Sequence, residues 1–226
     1  MNAMLTTFSC AAPHRWRSAF SVRAALAPLL CAVLLLSSCV SGMLNPGPPP
    51  TRLALSPALP GALPGLPVDK QLVVAVPVSG SELDTDRIVL VFSGREVRSL
   101  AQARWTGSAP TLFRAKMIEA LESTGSLRGI GDEMAGLSAD ARLLTDLRKF
   151  ALYYENEGGT PVAVIEAGFR LLNLRDGRIA GALTVAGRAA AAGNGEAELA
   201  RAMEEAMKKV LDELAPWVVG EMRKLK

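Results

Sequence analysis

Histidine is nearly missing from this 226-residue chain, aromatic residues make up only 5% of it, and there are three cysteines. The one histidine is His14, and two of the cysteines, Cys10 and Cys31, lie ahead of the third, Cys39. The first 38 positions contain no acidic residue but do contain Arg15, Arg17 and Arg23. Each scarcity excludes something. Past residue 38 no histidine remains for a Ser-His-Asp or Cys-His site or for an imidazole-bound metal. The 25 basic residues less those three arginines leave 22 against 22 acidic ones, so the rest of the chain is formally neutral. Nucleic-acid binding needs a positive field that displaces counterions, and a neutral chain without a basic cluster offers none. With a single cysteine from position 39 onward, no disulfide forms within that part.

What is there begins with an export signal. Ala24 to Ser38 is an almost unbroken apolar run behind the three arginines. It falls short of the roughly 20 apolar residues a membrane-spanning helix requires. A basic start, a short apolar stretch and small residues at its end are the parts of a secretory signal peptide, here residues 1–38. Leu36-Ser37-Ser38-Cys39 is similar to the lipobox of bacterial lipoproteins, in which the cysteine is acylated and becomes the new N-terminus. Lipid chains on Cys39 would anchor the protein to a membrane without spanning it, each buried CH₂ contributing about 0.8 kcal/mol. Cys39 is followed by Val40 and Ser41 rather than by aspartate, which by the sorting rule for lipoproteins directs the protein to the outer membrane, facing the periplasm.

From residue 39 to 70 the composition shifts: eight of the fourteen prolines lie between Pro46 and Pro67. This reads as a semi-extended tether, with Arg52-Leu53-Ala54-Leu55 as a short edge strand docking on the domain. The domain is expected over 71–226. Leu72 to Val76, Ile88 to Phe92 and Val97 to Ala101 read as strands. Ser108 as N-cap, Pro110 in the first turn and the spacing of Leu112, Phe113, Met117, Ala120 and Leu121 give a helix that Gly125 stops. A short strand near Leu127 to Ile130 and a polar loop follow. Ala141 to Tyr154 is taken as a strand, although its alternation does not settle the period. Val162 to Leu174 and Ile179 to Ala190 form a hairpin about Asp176-Gly177. Leu199, Met203, Met207, Val210, Leu211, Leu214 and Val218 mark a long C-terminal helix, which Pro216 should kink or end. Glu204 with Lys208 and Glu205 with Lys209 should pair on its wet face. Strands, helix, strands, helix imply a single α/β domain with a mixed, mainly antiparallel sheet packed against two main amphipathic helices.

Chemistry is sparse: no catalytic residue, cofactor or metal site is expected. Gly193-Asn194-Gly195 lacks the lysine and length of a phosphate loop and reads as a connection into the last helix. Glu155 and Glu157 beside a double-glycine turn read as a solvated strand end more readily than as an acid–base pair. Arg104-Trp105 and Tyr153-Tyr154 stand out because aromatics are few; Trp105 most simply plugs the core, with a partner-binding anchor as the other reading. Met203 and Met207 read as core. Met134, on the loop with Leu137, is the better candidate for an exposed apolar contact. The partner-binding candidates are therefore Arg104, Trp105, Tyr153, Tyr154 and Met134.

In order and spacing, the chain resembles the ABC-type transport auxiliary lipoproteins, the family of the PqiC lipoproteins. The resemblance rests on Cys39, the proline-rich tether with Arg52 to Leu55, Leu72 to Val76, Leu83-Asp84 to Arg87-Ile88, and Ala101 to Trp105. It continues through Leu147 to Phe150, Arg188 to Ala192 and Leu214-Ala215-Pro216-Trp217. Ala101 stands where the family tends to have tyrosine, and Thr51 or Arg52 where an aromatic is common. The resemblance implies an α/β sandwich that works beside an ABC permease, its ATPase and an Mce-type substrate-binding protein to move phospholipids or other lipids between membranes. A bound lipid and a homo-oligomer are compatible with it. The other reading is a structural or assembly lipoprotein of the envelope with no direct role in lipid traffic. A hydrolase would lack its usual base.

Overall fold

Strand β7, Ala141–Tyr154, is the spine of the structure, a computed structural model that describes residues 49–226 apart from Gly94, Leu137 and Glu157. Along one flank it pairs antiparallel with β8 (Val162–Asn173), and β8 in turn pairs antiparallel with β9 (Ile179–Ala190). Along the other flank three shorter strands dock in succession, all parallel: β2 (Val68–Val74), the two-residue β3 (Val78–Ser79) and β4 (Arg87–Phe92). Outside β2 lies parallel β6 (Leu127–Gly131); outside β4 lie antiparallel β5 (Glu96–Trp105) and then parallel β1 (Thr51–Leu53). The sheet is thus mixed, and most of its ladder lies in the three antiparallel pairs, as expected.

Both helices, α1 (Ala109–Ser123) and α2 (Glu196–Lys224), bury their apolar stripes. Alternation along the strands decides which side they cover. Leu143, Thr145 and Leu147 of β7, Phe169 of β8 and Val185 of β9 face the helices and are buried. Phe113 of α1 lies against Phe169, and the Thr145 hydroxyl donates to the Met117 sulfur at 3.8 Å. α2 lies so close to β9 at Gly187 that a Cβ there would overlap the Ala206 carbonyl oxygen. Glycine is what this approach requires.

Four expectations need correction. The compact unit begins at Pro50: the edge strand expected at Arg52 to Leu55 is present as β1 beside β5, but Leu55 is buried and Ser123 Oγ donates to the Pro60 carbonyl, so residues 50–70 lie along the domain instead of forming a tether. Pro216 does not end α2, which runs on to Lys224; burial of Val218, Val219 and Met222 holds its last turns in place despite the missing N–H. Lys208 pairs with Asp212, Lys209 donates to the Arg188 carbonyl and Glu204 accepts from the Ser56 N–H, so neither expected lysine–glutamate pair forms. Ser108 occupies the N-cap, but its hydroxyl meets Thr111 Oγ1 and caps no backbone N–H. The expected signal segment and Cys39 lie outside the described residues, as do Leu137 and Glu157. Among the described residues no helix is long and apolar enough to cross a membrane.

Candidate functional site

Among the described residues no helix lies over the face of the sheet turned away from the two helices. A β-bulge between Leu147 and Lys149 organises its charge. Ahead of the bulge, even-numbered residues of β7 point to this face; beyond it, odd-numbered ones do. The extra residue therefore puts Arg148 and Lys149 on the same face, one after the other. Both meet Glu166 on β8: Lys149 Nζ lies 2.9 Å and Arg148 Nη1 4.0 Å from its carboxylate, while Arg148 Nε also reaches Asp146 at 3.0 Å. The Lys149 hydrogen bond holds the Glu166 carboxyl below its usual value against a smaller opposing push from burial. The Arg148 guanidinium occupies space that a side chain at position 168 would fill, so Gly168 leaves room for the arginine.

Where β7 ends, this face hollows into a pocket of about 490 Å³ lined by Ser93, Lys149, Tyr153, Tyr154, Glu155, Val162, Val164 and Arg188. Register fixes the order of its parts. Arg188 stands opposite Val164, which stands opposite Ala151, and Tyr153 stands opposite Val162. Cations therefore sit at the level of residues 149–151, a phenol at 153 and a carboxylate just past the end of the strand. The Tyr153 and Tyr154 hydroxyls are raised above the usual phenol value, chiefly by burial. Tyr154 stacks on Phe92 with centroids 4.6 Å apart, Arg98 lies over the other ring at 4.7 Å, and the Tyr154 hydroxyl is 3.0 Å from Asn194 Oδ1. Ser93 sits at φ 46° in the turn at the pocket's lip.

The candidate residues named from sequence are not brought together. Trp105 is 1% exposed and meets Phe150 edge-on at 6.2 Å, so it is a core plug and cannot anchor a partner. Arg104 is tied to Asp86 at 3.1 Å, opposite the start of β4, whereas Tyr153 lies by its end. Met134, 90% exposed, is on the β6–β7 loop, which is pinned by ion pairs from Arg114 to Asp132 and from Arg142 to Glu133. Only Tyr153 and Tyr154 share a pocket. Lys149, Glu166 and Arg188 escaped sequence reading. The Asp176-Gly177 hairpin could have placed Arg188 opposite Val164; nothing in the sequence marks the bulge.

Comparison with known proteins decides the family. The model of the family described as ABC-type transport auxiliary lipoprotein component matches residues 54–215. This chain belongs to that family. The matched span runs from the end of β1 into α2, so it takes in nearly all of the fold and the pocket. Protein XCC0632 from Xanthomonas campestris, described under DUF330, is similar at 25% identity and a TM-score of 0.69, over 77% of this chain and 98% of that one. An uncharacterized protein of known structure matches at 13% identity and a TM-score of 0.60, over 76% of this chain and 99% of the other, and shares the fold. No curated protein matches significantly. The family is one of transport auxiliary lipoproteins and not an enzyme family; its name implies association with an ABC transporter and a membrane-anchored place in the cell envelope.

Proposed function

We propose that this protein is an outer-membrane lipoprotein, anchored through acylated Cys39, that serves in the periplasm as a non-enzymatic accessory of an ABC transporter of the Mce type moving phospholipids or related lipids. The observation that carries the reading is the family match across nearly all of the folded unit, with a lipobox eleven positions ahead of Pro50. Residues 1–38 are then the signal peptide and Cys39 the mature N-terminus. The compact unit starts at Pro50, eleven positions after Cys39. The energy source belongs to a partner ATPase, and this chain contributes a rigid sheet with a polar, pocketed face.

Fractionation and pull-down test the reading. The wild-type chain floats with outer-membrane vesicles and brings down a permease or Mce subunit. Cys39→Ala loses flotation. Retention of the cleaved variant on membranes overturns the lipid anchor, and wild-type protein that brings down no transporter subunit in a strain with normal lipid distribution after deletion overturns the transport role. That last result would favour the envelope-assembly reading.

A further inference from the structure

We propose that the pocket at the end of β7 binds the headgroup of a zwitterionic phosphate amphiphile, with its phosphate at Arg188 and Lys149 and its ammonium at Glu155 and Tyr153. The inference deepens the lipid-transport reading and rests on it. Four observations carry it. First, the Arg188 side chain makes no hydrogen bond or ion pair among the described residues, though its charge acts on Tyr153 and Glu166. Its backbone is held from the other side, where Lys209 donates to its carbonyl at 2.7 Å. An exposed guanidinium with an open fork is suited to a phosphate.

Second, the Tyr153 hydroxyl has no hydrogen-bond partner among the described residues, and both Lys149 and Arg188 are close enough to bias its ionisation. Ammonium, guanidinium and phenol thus offer donors to one space. Third, the lining charges are of both signs. Glu166 is already satisfied by Lys149, but Glu155 is exposed at the far end and makes no ion pair among the described residues. A purely anionic ligand would leave that carboxylate facing it, whereas a ligand with an ammonium meets carboxylate and aromatic faces together. Fourth, the floor is apolar: Val164 is 3% exposed and Val162 half-buried, so carbon next to the phosphate has a surface to cover. The volume of about 490 Å³ is that of a small-ligand site.

Calorimetric titration of the detergent-purified full chain tests this with four probes: short-chain phosphatidylethanolamine, short-chain phosphatidylglycerol, phosphoethanolamine and inorganic phosphate. The ethanolamine lipid binds, and Arg188→Gln weakens it at least ~10-fold with an unchanged melting temperature. Glu155→Gln weakens the ethanolamine lipid about threefold and leaves the glycerol lipid unweakened. Equal binding by inorganic phosphate, or full affinity in Arg188→Gln, overturns the proposal. Equal affinity for both lipids, unmoved by Glu155→Gln, overturns the ammonium half. Loss of lipid binding with an intact pull-down removes this inference alone, whereas a failed pull-down with intact binding removes the transporter partnership alone.

Discussion

The two faces of the sheet reach dryness by different means. On the helix side, Phe113, Met117, Met207 and Val210 pack against Leu143, Phe169 and Val185, and the strands approach a helix backbone closely enough to exclude a methyl group at Gly187. On the open side Val89, Val91, Ala151 and Val164 are also no more than 8% exposed, yet no helix among the described residues covers them. Their cover is the stems of Lys149 and Tyr153, the Arg148 guanidinium lying over Gly168, and Leu83 from the β3–β4 connection. Long polar side chains bury apolar floor with their stems and keep their charges wet. One face is a packed jigsaw and the other a canopy of long polar side chains.

Substitutions should separate the faces. Trp105→Ala, which empties a core site, is expected to cost about 3–5 kcal/mol in urea unfolding. Gly187→Ala forces a Cβ into backbone and should cost about 1–3 kcal/mol, with α2 shifted. Its counterpart, Gly168→Ala, meets the Arg148 Nη2 atom at 2.8 Å, the far end of a flexible chain, so the change should stay near 0.5 kcal/mol. If the two glycine variants prove equally damaging, the canopy is as rigid as the core. The smallest effect concerns pH. The Glu166 carboxyl is held low by Lys149 and Arg148, so its contribution is present above the ordinary glutamate range and fades as pH falls through the lowered value. Stability should slip below about pH 4 by some tenths of a kcal/mol through this group, and Glu166→Gln should remove that part of the acid slope.

Most elements were legible in the sequence because their periods are local. Ile88 to Phe92, the Asp176-Gly177 hairpin and the stripe from Leu199 to Val218 each announce themselves within a few residues. What was hidden depended on distant contacts. β7 looked ambiguous because the bulge at Arg148 shifts its alternation, so that Leu143, Thr145 and Leu147 face inward but so do Phe150 and Leu152. β3 exists only because β7 offers an edge to Val78 and Ser79. Pro216 reads as a helix stop until the sheet beneath Val218 and Met222 is known. The pocket was half legible: Tyr153 and Tyr154 drew notice for their rarity, while Arg188 needed the hairpin register, and Lys149 needed the bulge.

The spine also sets a timetable. β2, β3 and β4 gain their partner only once residues 141–154 are available, and β2 is some seventy positions ahead of the segment it pairs with. Much of the future sheet is therefore made before the strand that joins it, and parallel contacts over such separations close late. Meanwhile β7, β8 and β9 form a meander from adjacent sequence. Sequence separation alone therefore favours an order in which the β7–β9 meander forms first and the earlier strands gather onto its edge.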